Sequence, residues 1–213
     1  MDIAFYIAFI PAVLSAYLIG AIPTGYIMAR IFKGVDIRQF GSSNMGATNV
    51  YRVVGKLPGF VTLVLDALKG VLVVAVIAVY TYSFVDTLDY NFYRSLLGLI
   101  AICGHIWPVF LGFKGGKGVA TTIGVLSIIA PIPLILSLLI WLIIFLLTSY
   151  VSLASIIFGI FLPIFSAVLN ESIYITIFTV TICIINTYKH DSNIKRLLKG
   201  EENKTILGKK GAK

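Results

Sequence analysis

The sequence predicts an all-α, polytopic membrane protein of seven transmembrane helices, with the N-terminus outside and the C-terminus cytoplasmic. Three observations lead there. The 213 residues are 59% hydrophobic and only 12% charged, well outside soluble-domain composition, with a mean hydropathy of +0.99. The apolar residues fall in runs long enough to cross a bilayer as helices, not in the short alternating segments of a barrel. Most of the charges, finally, sit between the runs, and the loops alternate in net sign along the chain.

The first run covers about Ile3 to Met28. It lacks the basic leader and small-residue cleavage site of a signal peptide, carrying Asp2 instead, so it reads as a retained helix. A polar stretch from Arg30 to Lys56 follows. The second run spans about Leu57 to Tyr80, and a short loop with Asp86 and Asp89 leads to the third, about Phe92 to Phe113. Between Val119 and Leu169 there is no charge. One helix of that length would far exceed a bilayer core of about 30 Å. Breaks are expected at Pro131 and Pro133 and again around Thr148, Ser149 and Ser152, giving three crossings of roughly 17 residues each. Asn170 and Glu171 turn the chain into the last run, about Ser172 to Tyr188, and a basic tail closes it.

With the N-terminus outside, the polar stretch, the hairpin after Phe113, the bend near Thr148 and the tail all lie inside. Of the 17 Lys and Arg, only Lys69 and Arg94 fall elsewhere, while Asp2, Asp86, Asp89 and Glu171 lie outside. Six crossings would break this positive-inside pattern. The chain shows no repeat and no low-complexity segment, so residues 1–213 read as a single domain. The net charge of +8 belongs to the inside loops, without the aromatic-basic surface of a nucleic-acid binder. Cys103 and Cys183 lie in apolar runs without a CxxC or a His/Cys cluster, so they read as buried thiols, with no metal and no cofactor expected.

Three inside segments carry polar residues that a membrane loop does not need. "GSSNMGATNVYR", Gly41 to Arg52, combines small residues with the hydroxyls and amides of Ser42, Asn44, Thr48 and Asn49, and ends in Arg52, whose fork suits phosphate. "GFKGGKGVAT", Gly112 to Thr121, places Lys114 and Lys117 among Gly115, Gly116 and Gly118 at the start of a helix near Val119. It is neither a Walker A loop nor a dinucleotide fingerprint. A glycine-rich turn opening onto a helix N-terminus is an anion site by construction. "YKHDSNIKR", Tyr188 to Arg196, puts His190 and Asn193 three apart, on one face of a continuing helix.

Inside the apolar runs, Asp66 and Lys69 are expected to pair, and His105 lies one or two turns from the hairpin. Ser149, Ser152 and Ser155 stand near the remaining inside bend, where their hydroxyls line a site or pack helices. Together these segments describe a site for a phosphorylated headgroup with an apolar tail. A lipid-synthesis enzyme and a transporter of a phosphorylated metabolite both fit.

"GSSNMGATNVYR", "GHIWPVFLGFKGGKGVAT", "YVSLAS" and "HDSNIKRLLKG" resemble the motif set of the bacterial acylphosphate–glycerol-3-phosphate acyltransferases, over nearly the whole chain. One position departs: the first motif usually reads Gly-Ser-Gly-Asn, and Ser43 replaces the second glycine. The resemblance implies a bacterial cell-membrane enzyme with a cytoplasmic active site. It implies acyl transfer from acyl phosphate to the 1-hydroxyl of glycerol 3-phosphate, yielding lysophosphatidic acid and phosphate, in the first step of phospholipid synthesis. It assigns catalysis to Ser42, Arg52, Lys117, His190 and Asn193. Substrate binding falls to Asn44, Thr48, Asn49, Lys114, Gly115, Gly116, Gly118 and Ser152. No other partner is implied beyond the two substrates and membrane lipid. Neither His105 nor His190 has Asp five positions later, so the His-x4-Asp acyltransferases are excluded.

Overall fold

The computed structural model describes residues 3–205; Asp2 and the tail lysines Lys209, Lys210 and Lys213 lie outside them. No strand occurs among the described residues, and eleven α-helices account for most of the chain. They form two compact units that divide between Ile129 and Ala130.

The first unit begins with α1 (Ile3–Ala21) and α2 (Thr24–Lys33). The first apolar run is thus not one helix. Pro23 has no N–H and forces Ile22 away from helical backbone, so the helix stops and restarts. A short turn, Ile37–Gln39, leads to α3 (Ala47–Val53) and then α4 (Lys56–Leu72). That helix runs through a π-helical turn, Val73–Ile77, into α5 (Ala78–Tyr82). Asp89 caps α6 (Tyr90–Ile106), accepting from the main-chain N–H groups of Asn91 and Phe92. The hairpin follows, and α7 (Val119–Ile129) closes the unit.

Small residues let these helices touch backbone to backbone. A Cβ on Gly20 of α1 would overlap the Ala101 carbonyl of α6, and one on Gly124 of α7 would overlap the Ala67 carbonyl of α4.

The second unit holds α8 (Pro131–Thr148), α9 (Val151–Val168), α10 (Ile173–Lys189) and α11 (Asp191–Leu198). α9 packs against both α8 and α10, and α11 packs against α9. Ser155 ties the three longer helices: its hydroxyl accepts from Trp141 Nε1 at 3.2 Å and its carbonyl from Asn186 Nδ2 at 2.7 Å.

The uncharged stretch breaks at the residues expected, before Pro131 and at Ser149, which adopts φ 62°. Its pieces are not three equal crossings. They contain 11, 18 and 18 residues. Ala130 leaves helical geometry ahead of Pro131, and the hairpin delays the helix start to Val119, so α7 is about 16 Å long. Among the described residues, five helical segments are long and apolar enough to cross a membrane, while α7 and α10 are shorter apolar helices. Cys103 and Cys183 are free and half-buried, not fully buried as expected.

Candidate active site

In the first unit, the Gly41–Arg52 segment is a bonded structure, not a slack loop. Asn49, on the first turns of α3, is its centre and is buried. Its Nδ2 donates to the carbonyls of Asn44 at 2.7 Å, Phe40 at 3.0 Å and Ile37 at 3.4 Å. Its Oδ1 accepts from the Ser42 N–H at 2.9 Å. Asn44 Oδ1 in turn accepts from the Gly46 N–H at 2.8 Å. Asn44 and Asn49 therefore shape the segment through their own amides, and Asn49 fixes the main chain at Ser42. Ser42, Thr48 and Arg52 are half-buried. Ser43 takes φ 55°, the left-handed backbone that favours glycine. Nearby, Arg38 holds the half-buried Asp36 carboxyl below its ordinary range through their hydrogen-bonded ion pair at 2.7 Å, against the opposing effect of burial.

The hairpin hangs from the C-terminal end of α6. A helix end leaves carbonyls without partners, and the hairpin supplies them: Gly115 N–H donates to Ile106 O and Gly116 N–H to His105 O, each at 3.1 Å. The glycines are required by this contact. A Cβ on Gly115 would overlap the His105 carbonyl, and one on Gly116 would overlap Nε2 of the His105 ring. The N–H groups of Gly115 and Gly116 are thus committed to the protein. Of the two hairpin cations, Lys114 is exposed and Lys117 half-buried. Gly118, buried, precedes the first turn of α7, whose N–H groups have no intrahelical acceptors.

Beneath the hairpin lies a buried polar cluster. Lys69 Nζ stands 2.7 Å from Asp66 Oδ1, the pair the spacing predicts. Lys69 also donates to the carbonyl of Ile22, which Pro23 leaves outside the helix, and the Thr24 hydroxyl donates to Asp66 Oδ1. His105 Nδ1 lies 3.4 Å from the same carboxylate oxygen.

In the second unit, Glu202 organises the residues around Asn193. Its Oε1 accepts from Asn193 Nδ2 at 2.8 Å and Ser152 Oγ at 2.9 Å, and its Oε2 from Arg196 Nε at 2.7 Å. Burial pushes the Glu202 carboxyl up, but the hydrogen bonds from Arg196, Asn193 and Ser152 outweigh it and hold the group below the ordinary 4.5. His190 does not lie on one continuing helix with Asn193, as the spacing suggests. It is the junction where α10 ends and α11 begins, with φ −100° and ψ 8°. Both residues are nonetheless buried. His190 Nδ1 is 2.8 Å from the Asn186 carbonyl. A carbonyl only accepts, so Nδ1 carries the hydrogen and Nε2 is the basic nitrogen of the neutral ring. No group of three metal-ligating side chains occurs among the described residues.

Comparison with known proteins settles the family. The family model described as glycerol-3-phosphate acyltransferase matches residues 10–200. This chain belongs to the glycerol-3-phosphate acyltransferase family. The family member from Desulforamulus reducens is 41% identical over 199 residues, covering 93% of this chain and 96% of that one. The Halalkalibacterium halodurans member is 43% identical, covering 93% and 95%. Crystal structures of PlsY (YgiH), an integral membrane glycerol 3-phosphate acyltransferase, superpose with TM-scores of 0.83 for its glycerol 3-phosphate form and 0.81 for its lysophosphatidic acid form. Each is 40% identical and covers 92% of this chain and 95% of that one.

Beside the expected site residues Ser152 and Asn193 the structure places Glu202, which no sequence motif marks. Its signal was faint: one of two adjacent acids, Glu201 and Glu202, behind a basic helix. Only packing shows that Glu202 is buried and Glu201 exposed.

Proposed function

We propose that this protein transfers a fatty acyl group from acyl phosphate to the sn-1 hydroxyl of glycerol 3-phosphate. The products are lysophosphatidic acid and inorganic phosphate. The observation that carries the reading is the pair of ligand states of the solved relative, since glycerol 3-phosphate and lysophosphatidic acid differ by one acyl group. The donor follows from the motif resemblance. A mixed anhydride is already activated, so no acyl-enzyme nucleophile is needed.

In the proposed mechanism Arg52, His190 and Asn193 take glycerol 3-phosphate, and Lys117, with Lys114 and the α7 N-terminus, takes the acyl phosphate. Ser42 contributes a hydroxyl to the same chemistry, and Ser152 supports Asn193 through Glu202. Thr48 adds a further hydroxyl for substrate binding. The substrate hydroxyl adds to the acyl carbon. The bond from that carbon to the phosphate oxygen then breaks, and phosphate leaves with the electron pair. The hydroxyl proton goes to His190 Nε2 or to a phosphate oxygen of the substrate. Cationic groups offset the repulsion of two phosphates and the developing charge, and orientation of the two substrates supplies much of the remaining acceleration.

The chain is read as crossing the cell membrane seven times, N-terminus outside, with the short α7 as the fourth passage and the chemistry on the cytoplasmic side. Reporter fusions after Asn170 and within 112–118 test this, and an outside signal at the hairpin would reverse it.

Purified protein supplied with palmitoyl phosphate and glycerol 3-phosphate should release phosphate and lysophosphatidic acid in equal amounts, only with both substrates present. Activity with acyl-CoA instead would overturn the donor. Passage of an unaltered phosphorylated metabolite across vesicles, without chemistry, would favour transport.

A further inference from the structure

We propose that Asp66 and His105 are positioning residues for the acyl-transfer reaction, holding the hairpin that carries Lys117 in register from inside the apolar bundle. This rests on the reading that the hairpin handles the acyl phosphate.

Three titratable side chains share one buried spot. Asp66, Lys69 and His105 are 1%, 5% and 3% exposed, on two different helices, with Thr24 of a third completing the cluster. Burying such groups is costly, and replacing a buried ion pair by apolar side chains is often neutral or stabilising. Fold stability alone is thus a weak reason for the cluster, and charges within apolar segments mark function by default.

Lys69 by itself neutralises Asp66. What the pair leaves unexplained is the third member. The His105 ring turns Nδ1 toward Asp66 Oδ1, 3.4 Å away and without a hydrogen bond between them, and its opposite edge toward Gly116. The main chain of the same residue accepts the Gly116 N–H at 3.1 Å. His105 therefore grips the hairpin twice, by carbonyl and by ring, one residue from Lys117. The segment between the turn at Val109–Leu111 and α7 has no regular structure of its own, so these contacts set where it sits. Asp66 lies within ion-pair reach of the ring that packs against the loop, so a proton on that ring draws the two together. Lys69 and Thr24 fix Asp66, and the Ile22 carbonyl exposed by Pro23 fixes Lys69.

The test removes the carboxylate without stranding its cation. Asp66→Asn combined with Lys69→Met is charge-neutral and should melt close to wild type. It should still lose about tenfold or more in kcat/KM for palmitoyl phosphate, with KM for glycerol 3-phosphate changed by less than about twofold. His105→Gln should give the same donor-selective loss, and the triple variant should lose no more than the worse parent. Wild-type kinetics in the folded double variant would overturn the proposal, as would equal losses toward both substrates.

Should the double variant not fold, Gly116→Ala carries the test from the loop side. Its methyl meets the His105 ring, so its loss of activity should shrink in a His105→Ala background. An undiminished loss there would overturn the ring contact. Lys117→Ala measured alongside separates the two layers: wild-type turnover in that variant would remove the hairpin from the donor site, whatever Asp66 does.

Discussion

Asn193 donates its side-chain amide hydrogen to Oε1 of Glu202 at 2.8 Å, and Ser152 of α9 donates to the same oxygen. The carboxylate after α11 thereby locks an expected substrate ligand to a neighbouring helix. Glu202→Ala should lower activity strongly, because three donors lose one acceptor group together. Glu202→Gln should be milder, since its carbonyl can still accept from Asn193 and Ser152. Turnover per folded protein, with melting temperature, checks both.

The same carboxyl gives a pH dependence. Its folded pKa lies below the ordinary 4.5, so the ionised form is favoured by folding. The stabilisation is complete above the unfolded value and drains away as pH falls through the folded one. Melting temperature should drop on the acid side more steeply in wild type than in Glu202→Gln. Parallel curves would show that Glu202 is not the group responsible.

Arg52→Ala and Lys117→Ala should each reduce kcat/KM by about a hundredfold or more while leaving the protein folded, as expected for loss of a group that offsets transition-state charge. Purified variants assayed with palmitoyl phosphate decide it. Near-normal turnover in either would remove that residue from the site.

Ser43 sits at φ 55°, where an L-residue costs roughly 1–2 kcal/mol relative to the right-handed region. Ser43→Gly, which restores the residue usual in the motif, should raise thermal stability by up to about 1 kcal/mol without loss of activity. An unchanged or lower melting temperature would mean that the Ser43 side chain compensates for its backbone.

Asn49→Leu should destabilise the first unit and impair catalysis together. It leaves the carbonyls of Asn44 and Phe40 and the N–H of Ser42 without their partner, at about 1–3 kcal/mol for each buried group left unsatisfied. Thr48→Val, by contrast, should spare the melting temperature. Equal stability of the two variants would contradict the central place of Asn49.

Much of the architecture follows from local chemistry. Apolar runs, prolines and glycines determined that the chain is helical, and that the uncharged stretch breaks before Pro131 and at Ser149. The spacing of Asp66 and Lys69 determined that they pair, since residues three apart share a helix face. The sequence motifs also determined the family and the positions expected to bind phosphate. Tertiary structure decided what spacing cannot express. The hairpin glycines serve contact with α6, because the carbonyls and ring they meet belong to residues about ten positions earlier. Asn49 shapes a loop, because its amide reaches four main-chain groups brought around it by folding. His105 lies between a buried carboxylate and the hairpin, and Glu202 rather than Glu201 is enclosed. Periodicity reports which face a residue takes on its own helix; which atoms arrive opposite that face is fixed only when the helices pack.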